Sequence, residues 1–430
     1  MKILVIGSGG REHAIVWALQ RTSPIPLSIY CAPGNPGIGQ IAETVPVSVA
    51  DYTKLVGFAE AEDIDLTVVG PEAPLAAGVV DQFMAKGLAV VGPTQAASRL
   101  EASKAFAKDF MSRYAIPTAA YRIADSSAQA IEFIRSGQFG DANSPVVVKA
   151  DGLAAGKGVV VAQSHAGAEE AIENLMVTEV AGPDAAKRVL IEEALAGREV
   201  SVLIFTDGQN YALMPAAQDH KRIGENDTGP NTGGMGSITD SAILSTAMLE
   251  RVKQEIIEPT LAGARYEGFA FQGVLFFGLM LTAKGPQLLE YNVRFGDPET
   301  QAILVRLRTD MLSILEATYR GTLADIRVEW TDGSSACVVL ANRGYPGKHE
   351  TGALIEGLGQ IDSETVQVFH AGTSQLPDGR FLAAGGRVLG LTAAAATLPA
   401  AVRLCYQAVE EIHWEGMQYR RDIGRSLSVD

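Results

Sequence analysis

Short apolar runs alternate with longer amphipathic segments along the first hundred residues of the chain. Compact apolar runs are typical of buried strands, and apolar residues spaced by three and four are typical of helices. Strands are predicted over residues 3–6, 27–30, 66–69 and 90–91, and helices over 12–21, 55–62 and 79–86. This alternation predicts an open parallel sheet covered by helices, which we assign to an N-terminal α/β domain, residues 1–102.

The same kind of pattern begins again at two later points of the chain. A new strand–helix pattern starts near residue 117, within a central unit that we assign to residues 103–324. Apolar runs at 336–341, 366–370 and 386–391 predict further strands, and an amphipathic segment at 400–412 predicts a helix. We therefore expect a small C-terminal α+β domain over residues 325–430.

The central unit contains two β-type runs joined by a short turn rich in glycine and alanine, residues 146–161. Glycine permits unusual dihedral angles and close backbone approach, so the turn could fold its amides over a polyphosphate. Lys149 and Lys157 flank the turn and would supply point charges. The run is not a P-loop, because its spacing differs and a strand follows it. A plain β-hairpin would explain the glycines but not the two lysines.

A second candidate element lies far downstream, in residues 290–299. Glu290 and Asn292 alternate onto one face of a predicted strand, which gives two oxygen ligands suited to Mg²⁺. We find no further acidic ligand in the apolar run 273–281. A phosphate-covering hairpin with a remote metal-bearing strand suggests an ATP-dependent enzyme.

Three loops follow predicted strands of the N-terminal sheet, at residues 7–12, 33–37 and 70–74. Ligands of open α/β sheets bind at the carboxyl ends of strands, so these loops could line one crevice. A dinucleotide site is disfavoured, because Glu12 stands where the third glycine is needed and the second strand ends without an acid. A small phosphorylated ligand fits better, and ordinary turn chemistry explains the glycines and prolines equally well.

Two polar segments interrupt the apolar pattern of the central unit. The acidic end of the run 189–195 and Glu199 could hold an adenine edge and a ribose, although acids at strand ends are often merely solvated. Residues 218–222 are densely polar, and residues 227–236 form a long loop rich in Gly, Asn and Thr. A solvated turn and a linker are the alternatives, and the density of polar residues favours a substrate site.

Composition narrows the class of protein. A net charge of −15 argues against general nucleic-acid binding, and no apolar run approaches the roughly 18 residues of a membrane span. Cys31, Cys337 and Cys405 are widely separated and are expected to be small core residues in a reducing cytoplasm. The N-terminal lysine followed by a strand does not resemble a signal peptide.

These motifs together resemble the glycinamide ribonucleotide synthetases, a family of the ATP-grasp superfamily. The resemblance covers essentially the whole chain. The matching segments are residues 9–14, 70–75, 149–158, 218–222, 227–236 and 294–300. The hairpin at Lys149 alone indicates the superfamily, and segments 218–222 and 227–236 make the match specific. The chain departs at Ser8, where the family often has asparagine.

The resemblance implies a fold and a reaction. The fold would be an N-terminal open parallel α/β sheet, a central ATP-grasp domain with a mobile β-rich lid at about 118–195, and the C-terminal α+β domain. The reaction joins glycine to 5-phospho-D-ribosylamine through glycyl phosphate and gives glycinamide ribonucleotide, ADP and phosphate, in de novo purine biosynthesis. ATP and Mg²⁺ or Mn²⁺ are then required. We expect a cytoplasmic monomer or weak homo-oligomer whose partners are small molecules, with no nucleic acid and no membrane.

The resemblance also implies roles for individual residues. The expected ATP contacts are Lys104, Lys149, Gly152, Gly156, Lys157, Gly158, Glu192, Glu193, Ala194, Leu195 and Glu199. Glu290 and Asn292 would bind the metal, Arg294 would neutralise the glycine carboxylate, and Asp219 and Asp297 would hold the amines. The remaining substrate contacts are expected at Gly9, Gly10, Asn35, Gly70, Pro71, Glu72, His220, Lys221, Gly296, Pro298 and Glu299.

Two other hypotheses belong to different classes. Another ATP-grasp enzyme, such as a carboxylase or a formate-dependent transformylase, would share the hairpin and also activate a carboxylate. A nucleotide-binding regulator without catalysis would not need Lys149, Lys157, Glu290, Asn292 and Arg294 together. Dependence of ATP hydrolysis on glycine discriminates among the three.

Overall fold

A computed structural model describes residues 1–154, 158–178 and 187–425. The N-terminal elements, in chain order, are β1 (Lys2–Gly7), α1 (Gly10–Thr22), β2 (Ser28–Pro33), β3 (Glu43–Thr44), α2 (Tyr52–Ala61), β4 (Leu66–Val69), α3 (Glu72–Ala76), α4 (Val79–Ala85), β5 (Val90–Val91) and α5 (Gln95–Ala102). The strands pair in parallel in the order β3-β2-β1-β4-β5. The predicted open parallel sheet is therefore confirmed.

Helices cover both faces of this sheet. Ile3 and Val5 of β1 belong to one buried cluster, with Leu19 of α1. Leu4 and Ile6 belong to another, with apolar residues of α2 and α4. Because adjacent residues of β1 point to opposite faces, burial of both sets produces the continuous apolar run seen in the sequence.

The side chain of Glu12 caps the start of α1 directly after β1. The Gly9 amide donates to Glu12 Oε2 over 2.6 Å, and Arg11 Nε lies 2.6 Å from Glu12 Oε1. Gly70, at the end of β4, leaves room for this carboxylate, since a Cβ there would lie 2.1 Å from Glu12 Oε1. The glutamate that replaces the third glycine of a dinucleotide motif is thus a buried structural residue.

A separate antiparallel sheet follows helix α6 (Lys104–Arg113). Its elements are β6 (Tyr121–Ala124), α7 (Ser127–Arg135), β7 (Val146–Ala150), β8 (Val159–Ala162), α8 (His165–Met176) and β9 (Val189–Glu193). The strand order is β6-β9-β7-β8, and Lys149 of β7 lies opposite Val159 of β8. The predicted pairing of the two β-type runs is confirmed, and residues 155–157 of the turn between them lie outside the described residues. We call this unit the lid sheet.

The central and C-terminal segments contain the remaining elements. The central ones are β10 (Arg198–Thr206), β11 (Tyr211–Leu213), β12 (Ala217–Asp219), β13 (Arg222–Gly224), β14 (Thr228–Asn231), β15 (Gly236–Thr239), α9 (Thr246–Val252), α10 (Glu258–Tyr266), β16 (Gly273–Thr282), β17 (Gly285–Asn292), α11 (Glu299–Leu304) and α12 (Met311–Arg320). The C-terminal ones are β18 (Ser334–Asn342), β19 (Ala353–Leu354), β20 (Gln367–His370), β21 (Thr373–Gln375), β22 (Phe381–Ala383), β23 (Arg387–Ala395), α13 (Leu398–Glu411) and β24 (Met417–Gln418).

One long antiparallel sheet joins these two segments. Its path within the described residues is β17-β16-β10-β12-β15-β18-β23-β20, with β11 paired to β10 and β24 paired to β18. Strand β15 pairs with β18, so the sheet continues across the boundary predicted near residue 325. The smaller sheets are β19-β22-β21 and β13-β14. The division into three domains stays a prediction.

The three cysteines lie in the interior of the protein. Cys31, Cys337 and Cys405 are free and buried, as expected of core residues. Helix α13 packs over β18 and β23, where Cys337 and Cys405 both lie in the interior. Across the described part of the chain, every helix is too short or too polar to cross a membrane.

Candidate active site

A cavity of about 1080 Å³ lies between the lid sheet, helix α6 and strand β17. Its volume slightly exceeds the roughly 300–1,000 Å³ usual for small-molecule sites, which suits more than one substrate. The predicted site residues that line it are Glu72, Lys104, Lys149, Gly158, Glu192, Glu193, Ala194, Leu195, Glu199, Asp219, Lys221, Glu290, Asn292, Arg294, Asp297 and Glu299. Gly156 and Lys157 lie outside the described residues.

Two lysines reach this cavity from different elements. Lys149 of β7 donates from Nζ to the Leu289 carbonyl over 3.2 Å. Lys104 begins α6 and donates from Nζ to the Gly152 carbonyl over 3.3 Å. Burial lowers the pKa of Lys104, an effect that Glu290 opposes. The structure therefore brings two side-chain amines, from segments about 45 residues apart in sequence, to one wall.

Glu192 lies between two lysines under the hairpin. Its Oε2 is 3.0 Å from Lys149 Nζ and 3.0 Å from Lys108 Nζ. Its Oε1 is buried and has no hydrogen-bond partner among the described residues. The connector that follows, Ala194 and Leu195, also lines the cavity. A buried acceptor beside an apolar connector can accept a hydrogen bond from an amino group such as that of adenine.

Glu199, the predicted acceptor for the ribose hydroxyls, forms an ion pair with Lys221. Lys221 Nζ lies 2.9 Å from Glu199 Oε2, and the Glu199 side chain is half exposed. Burial alone would lower the pKa of Lys221, but Glu199, Glu290 and Asp219 outweigh it and raise that pKa. Lys221 therefore stays charged and links the Glu199 side of the cavity to Glu290.

Strand β17 presents the predicted metal ligands to the cavity. Glu290 and Asn292 are two residues apart on the strand and both line the cavity wall. Burial would raise the pKa of Glu290, but Lys221, Lys149 and other nearby cations outweigh it and lower that pKa, so the carboxylate is ionised. No cluster of three or more His, Cys, Asp or Glu suited to a metal occurs among the described residues. One carboxylate and one amide oxygen fit Mg²⁺, which commonly adds phosphate oxygens and water.

Arg294 is held by two carboxylates. Its Nε lies 3.1 Å from Glu72 Oε2, and its Nη2 lies 3.2 Å from Glu101 Oε1 and 3.3 Å from Asn292 Oδ1. Burial opposes the charge of Glu72, but Arg294 and Arg11 prevail and lower the pKa of Glu72 to about 2. Arg294 therefore orients Asn292 as well as facing the cavity.

A second polar cluster contains the predicted amine-binding acids. Arg387 of β23 lies 3.0 Å from Asp297 Oδ2 and also donates to the Asp297 and Gly233 carbonyls. Gly234 adopts φ +107°, and a Cβ there would lie 2.6 Å from Asp219 Oδ1. That oxygen is buried without a hydrogen-bond partner in the described residues. Burial raises the pKa of Asp219, and Glu299 adds to the effect.

The other described candidates do not line the cavity: Gly9, Gly10, Asn35, Gly70, Pro71, Gly152, His220, Gly296 and Pro298. Asn35 is buried and donates to the carbonyls of Ser8 and His370 over 2.8 and 2.9 Å. His220 Nε2 accepts from the Gly424 amide over 3.2 Å, and burial lowers its pKa. The ATP contact predicted for Gly152 and the substrate contacts predicted for the other residues stay predictions, and in this structure Asn35 and His220 hold neighbouring segments together.

Sequence reasoning missed several cations of the cavity wall, among them Lys108 and Arg387. Lys108 follows Lys104 by four residues on α6, so helical spacing could have placed both on one face. Arg387 has no local signal, because it reaches the cavity through the pairing of β18 with β23. Glu101 was also missed, and it accepts from the Val293 amide over 2.8 Å.

The fold and the paired lysine and acid elements define an ATP-grasp protein, a class to which sequence comparison also leads. Residues 1–101, 102–300 and 335–426 match the phosphoribosylglycinamide synthetase N domain, ATP-grasp (A) domain and C domain, respectively. The chain belongs to the phosphoribosylglycinamide synthetase family.

Relatives match over almost their full length. The chain is 46% identical to the phosphoribosylamine–glycine ligase of Agrobacterium fabrum, covering 99% of this chain and 98% of that one. Against the ligase of Vibrio cholerae the identity is 45%, with the same two coverages. The crystal structure of the Thermotoga maritima ligase superimposes with a TM-score of 0.84 at 34% identity, covering 98% of this chain and all of that one.

The wider class shares the fold. The biotin carboxylase domain of the Hydrogenobacter thermophilus 2-oxoglutarate carboxylase superimposes with a TM-score of 0.72 at 17% identity. The match covers 97% of this chain and 91% of that domain, whose crystal structure is a complex with MgADP, ADP and bicarbonate. At that identity the likeness establishes the architecture alone.

Proposed function

We propose that the cavity joins glycine to 5-phospho-D-ribosylamine at the expense of ATP, giving glycinamide ribonucleotide, ADP and phosphate through glycyl phosphate. The observation that carries this proposal is that Lys104, Lys149, Glu290, Asn292 and Arg294 line one cavity. These are the groups needed to hold a triphosphate, a divalent cation and a carboxylate together. Family membership supports the choice of glycine and the ribosylamine.

ATP would lie between the lid sheet and β17. Lys104 and Lys149 would supply positive charge to the phosphate groups, and the buried Oε1 of Glu192 would accept from the adenine amino group. Glu290 and Asn292 would hold Mg²⁺ or Mn²⁺, which supplies charge neutralisation to the transferring phosphoryl group. Catalysis of this step is mostly positioning and charge stabilisation.

Glycine is a poor acyl donor until its carboxylate loses its charge. A carboxylate oxygen attacks the γ-phosphorus, the bond to the bridging oxygen breaks, and ADP leaves with that electron pair. Glu72 and Glu101 take Nε and Nη2 of Arg294, so Arg294 would orient the glycine carboxylate through Nη1, which also donates to the Phe295 carbonyl. The product of this step is glycyl phosphate, an activated acyl group.

The second step forms the amide. The ribosylamine nitrogen attacks the acyl carbon, the carbon–oxygen bond to phosphate breaks, and the nitrogen gives up a proton. Asp219 suits that proton, because burial and Glu299 raise the pKa of its carboxyl and one oxygen has no partner among the described residues. Asp297, held by Arg387, would bind an amine. The ribosyl phosphate would lie toward the N-terminal loops, where Arg11 lines the cavity.

The decisive experiment measures ADP release with each substrate omitted in turn and with ribosylamine generated in situ. We expect release to require glycine, and ¹⁸O from the glycine carboxylate to appear in the phosphate. Dependence on bicarbonate or formate instead would refute the substrate assignment while leaving the fold class intact. ADP release that depends on none of glycine, bicarbonate and formate would support a different reaction.

Lys149→Met and Glu290→Ala should each abolish ADP formation while leaving the circular dichroism spectrum, and so the fold, unchanged. The reason is that each removes a charge which the phosphates or the metal require. Lys284→Met is the matched control, because Lys284 lies in the turn between β16 and β17 and is exposed. Turnover retained in either site variant would remove that residue from the proposed mechanism.

A further inference from the structure

Lys108 is a buried cation without a role in the mechanism above. It lies on α6 one turn after Lys104, lines the cavity, and is 2% exposed. Its Nζ is 3.0 Å from Glu192 Oε2, the same oxygen that Lys149 approaches to 3.0 Å. One carboxylate oxygen is therefore shared by two ammonium groups.

The cluster of Lys108, Lys149 and Glu192 carries a net positive charge, which favours an anionic ligand. Two lysines contribute +2 and Glu192 contributes −1, so the cluster carries +1 beside the cavity. Without Lys108, the same count gives Lys149 at +1 and Glu192 at −1, which sum to zero. In a buried site, where charge is weakly screened, that difference changes the attraction for an anionic ligand substantially.

Further contacts fix the position of Lys108. Its Nζ donates to Thr118 Oγ1 over 2.7 Å, and that hydroxyl donates to the Leu288 carbonyl over 2.6 Å. Lys149 Nζ donates to the neighbouring Leu289 carbonyl. Both lysines are thus tied to β17, the strand that carries Glu290. Burial lowers the pKa of Lys108 to about 8 although Glu192 opposes the change, so at neutral pH the group is mostly charged.

We propose that Lys108 is a positioning residue of the ATP site, whose ammonium group neutralises Glu192 and so leaves the charge of Lys149 available to the phosphate groups of the nucleotide. The inference rests on the proposed ATP site. It assigns Lys108 no contact with the nucleotide, and it predicts an effect on phosphate recognition without a matching effect on the base.

The test compares the affinity of the full-length protein for MgATP with its affinity for adenosine, which has no phosphate. Lys108→Met should weaken MgATP binding about tenfold, as expected for loss of one buried unit charge, and change adenosine binding less than about twofold. The double variant Lys108→Met/Glu192→Gln restores the cluster to +1. Its ratio of adenosine Kd to MgATP Kd should therefore return close to the wild-type ratio.

Two further variants make the test secure. Lys108→Gln keeps a donor toward Thr118 but has no charge, and it should reproduce the loss if Lys108→Met is too unstable to purify. Lys86→Met removes an exposed lysine at the C-terminal end of α4, which does not line the cavity, and should change neither affinity.

Two results would overturn the inference: an unchanged Kd ratio in both uncharged variants, or a double variant no better than Lys108→Met. A wild-type protein that binds MgATP but releases no ADP with glycine would instead refute the proposed function alone. A wild-type protein that does not bind MgATP would refute both.

Discussion

The variant Arg387→Met tests whether the proposed amine-binding side of the cavity can be impaired while the proposed ATP side still functions. In the structure Arg387 Nη1 donates to the Gly233 and Asp297 carbonyls, the latter over 2.8 Å, and Nη2 lies 3.0 Å from Asp297 Oδ2. The substitution removes these charge-assisted hydrogen bonds, together with a longer one to the Gly234 carbonyl, and takes from Asp297 the cation with which it pairs. The loop at Gly233 and Gly234 then loses its tether to β23.

The size of the effect follows from the burial of the pair. The side chains of Arg387 and Asp297 are 21% and 18% exposed. Removing one partner of a buried charge pair costs about 3–5 kcal/mol, and partial exposure favours the lower end. That cost is one of folding stability. For the reaction, the relevant loss is that of the charge-assisted hydrogen bonds that hold Asp297, about 1.5–3 kcal/mol each, and about 3 kcal/mol in the transition state corresponds to roughly a hundredfold in kcat/KM.

The assay is steady-state ADP release with glycine, ribosylamine and ATP varied separately. We expect kcat/KM for glycine and for the ribosylamine to fall about a hundredfold. MgATP binding should stay within about twofold of wild type, because Arg387 contacts no residue assigned to the nucleotide. Arg387→Lys should be intermediate, since it keeps the charge but not the two-pronged donor.

Arg403→Met is the matched control, because Arg403 is exposed on α13 of the same C-terminal segment. It should leave every kinetic constant unchanged. An Arg387→Met enzyme within about threefold of wild type for both amine substrates would refute the role of the tether, because loss of even one such bond should exceed that. An equal loss for MgATP would show that the two sides of the cavity are not separable.

Two further predictions concern stability. Gly70→Ala should destabilise the fold by roughly 1–3 kcal/mol, because the new Cβ would lie 2.1 Å from Glu12 Oε1, which is held in place. Gly57→Ala should stabilise the fold by about 0.5–1 kcal/mol, because Gly57 lies within α2 and has open space around it. Urea unfolding measures both changes, and a Gly70→Ala midpoint equal to that of the wild-type protein would contradict the packing argument. Burial lowers the pKa of His13 to about 3 and that of His370 to about 4, so the unfolded chain binds more protons below about pH 6.5. The free energy of unfolding should fall between pH 7 and pH 5, and His13→Asn should reduce that fall; an identical slope would contradict the shift.

Local patterns predicted the elements whose character is local. The parallel sheet could be read from apolar runs such as 3–6, because burial on both faces requires continuous hydrophobicity. The hairpin at Lys149 followed from two β-type runs around a glycine-rich turn. Glu290 and Asn292 share the cavity wall because a strand places every second side chain on one face.

The remaining features depend on contacts between distant segments. Glu192 was predicted as an adenine contact, but its place between Lys108 and Lys149 arises from the pairing of β7 with β9. Arg387 reaches Asp297 across 90 residues of sequence. The run at Asn35 carries turn residues that suit a ligand loop equally well, and only the contacts to Ser8 and His370 reveal its packing role. Residue spacing carries no information about such pairings.

The long sheet can be completed only late in the synthesis of the chain, because it pairs strands that are far apart in sequence. Strand β15 meets β18 about a hundred residues later in the chain, and β18 in turn meets β23. Until that last segment leaves the ribosome, β15 is an open edge with unpaired amides and carbonyls. A fragment ending at residue 324 would keep that edge and should self-associate through it. Arg387 joins the cavity wall only through the pairing of β23 with β18, so a chain that stops before β23 lacks the Arg387 side of the cavity.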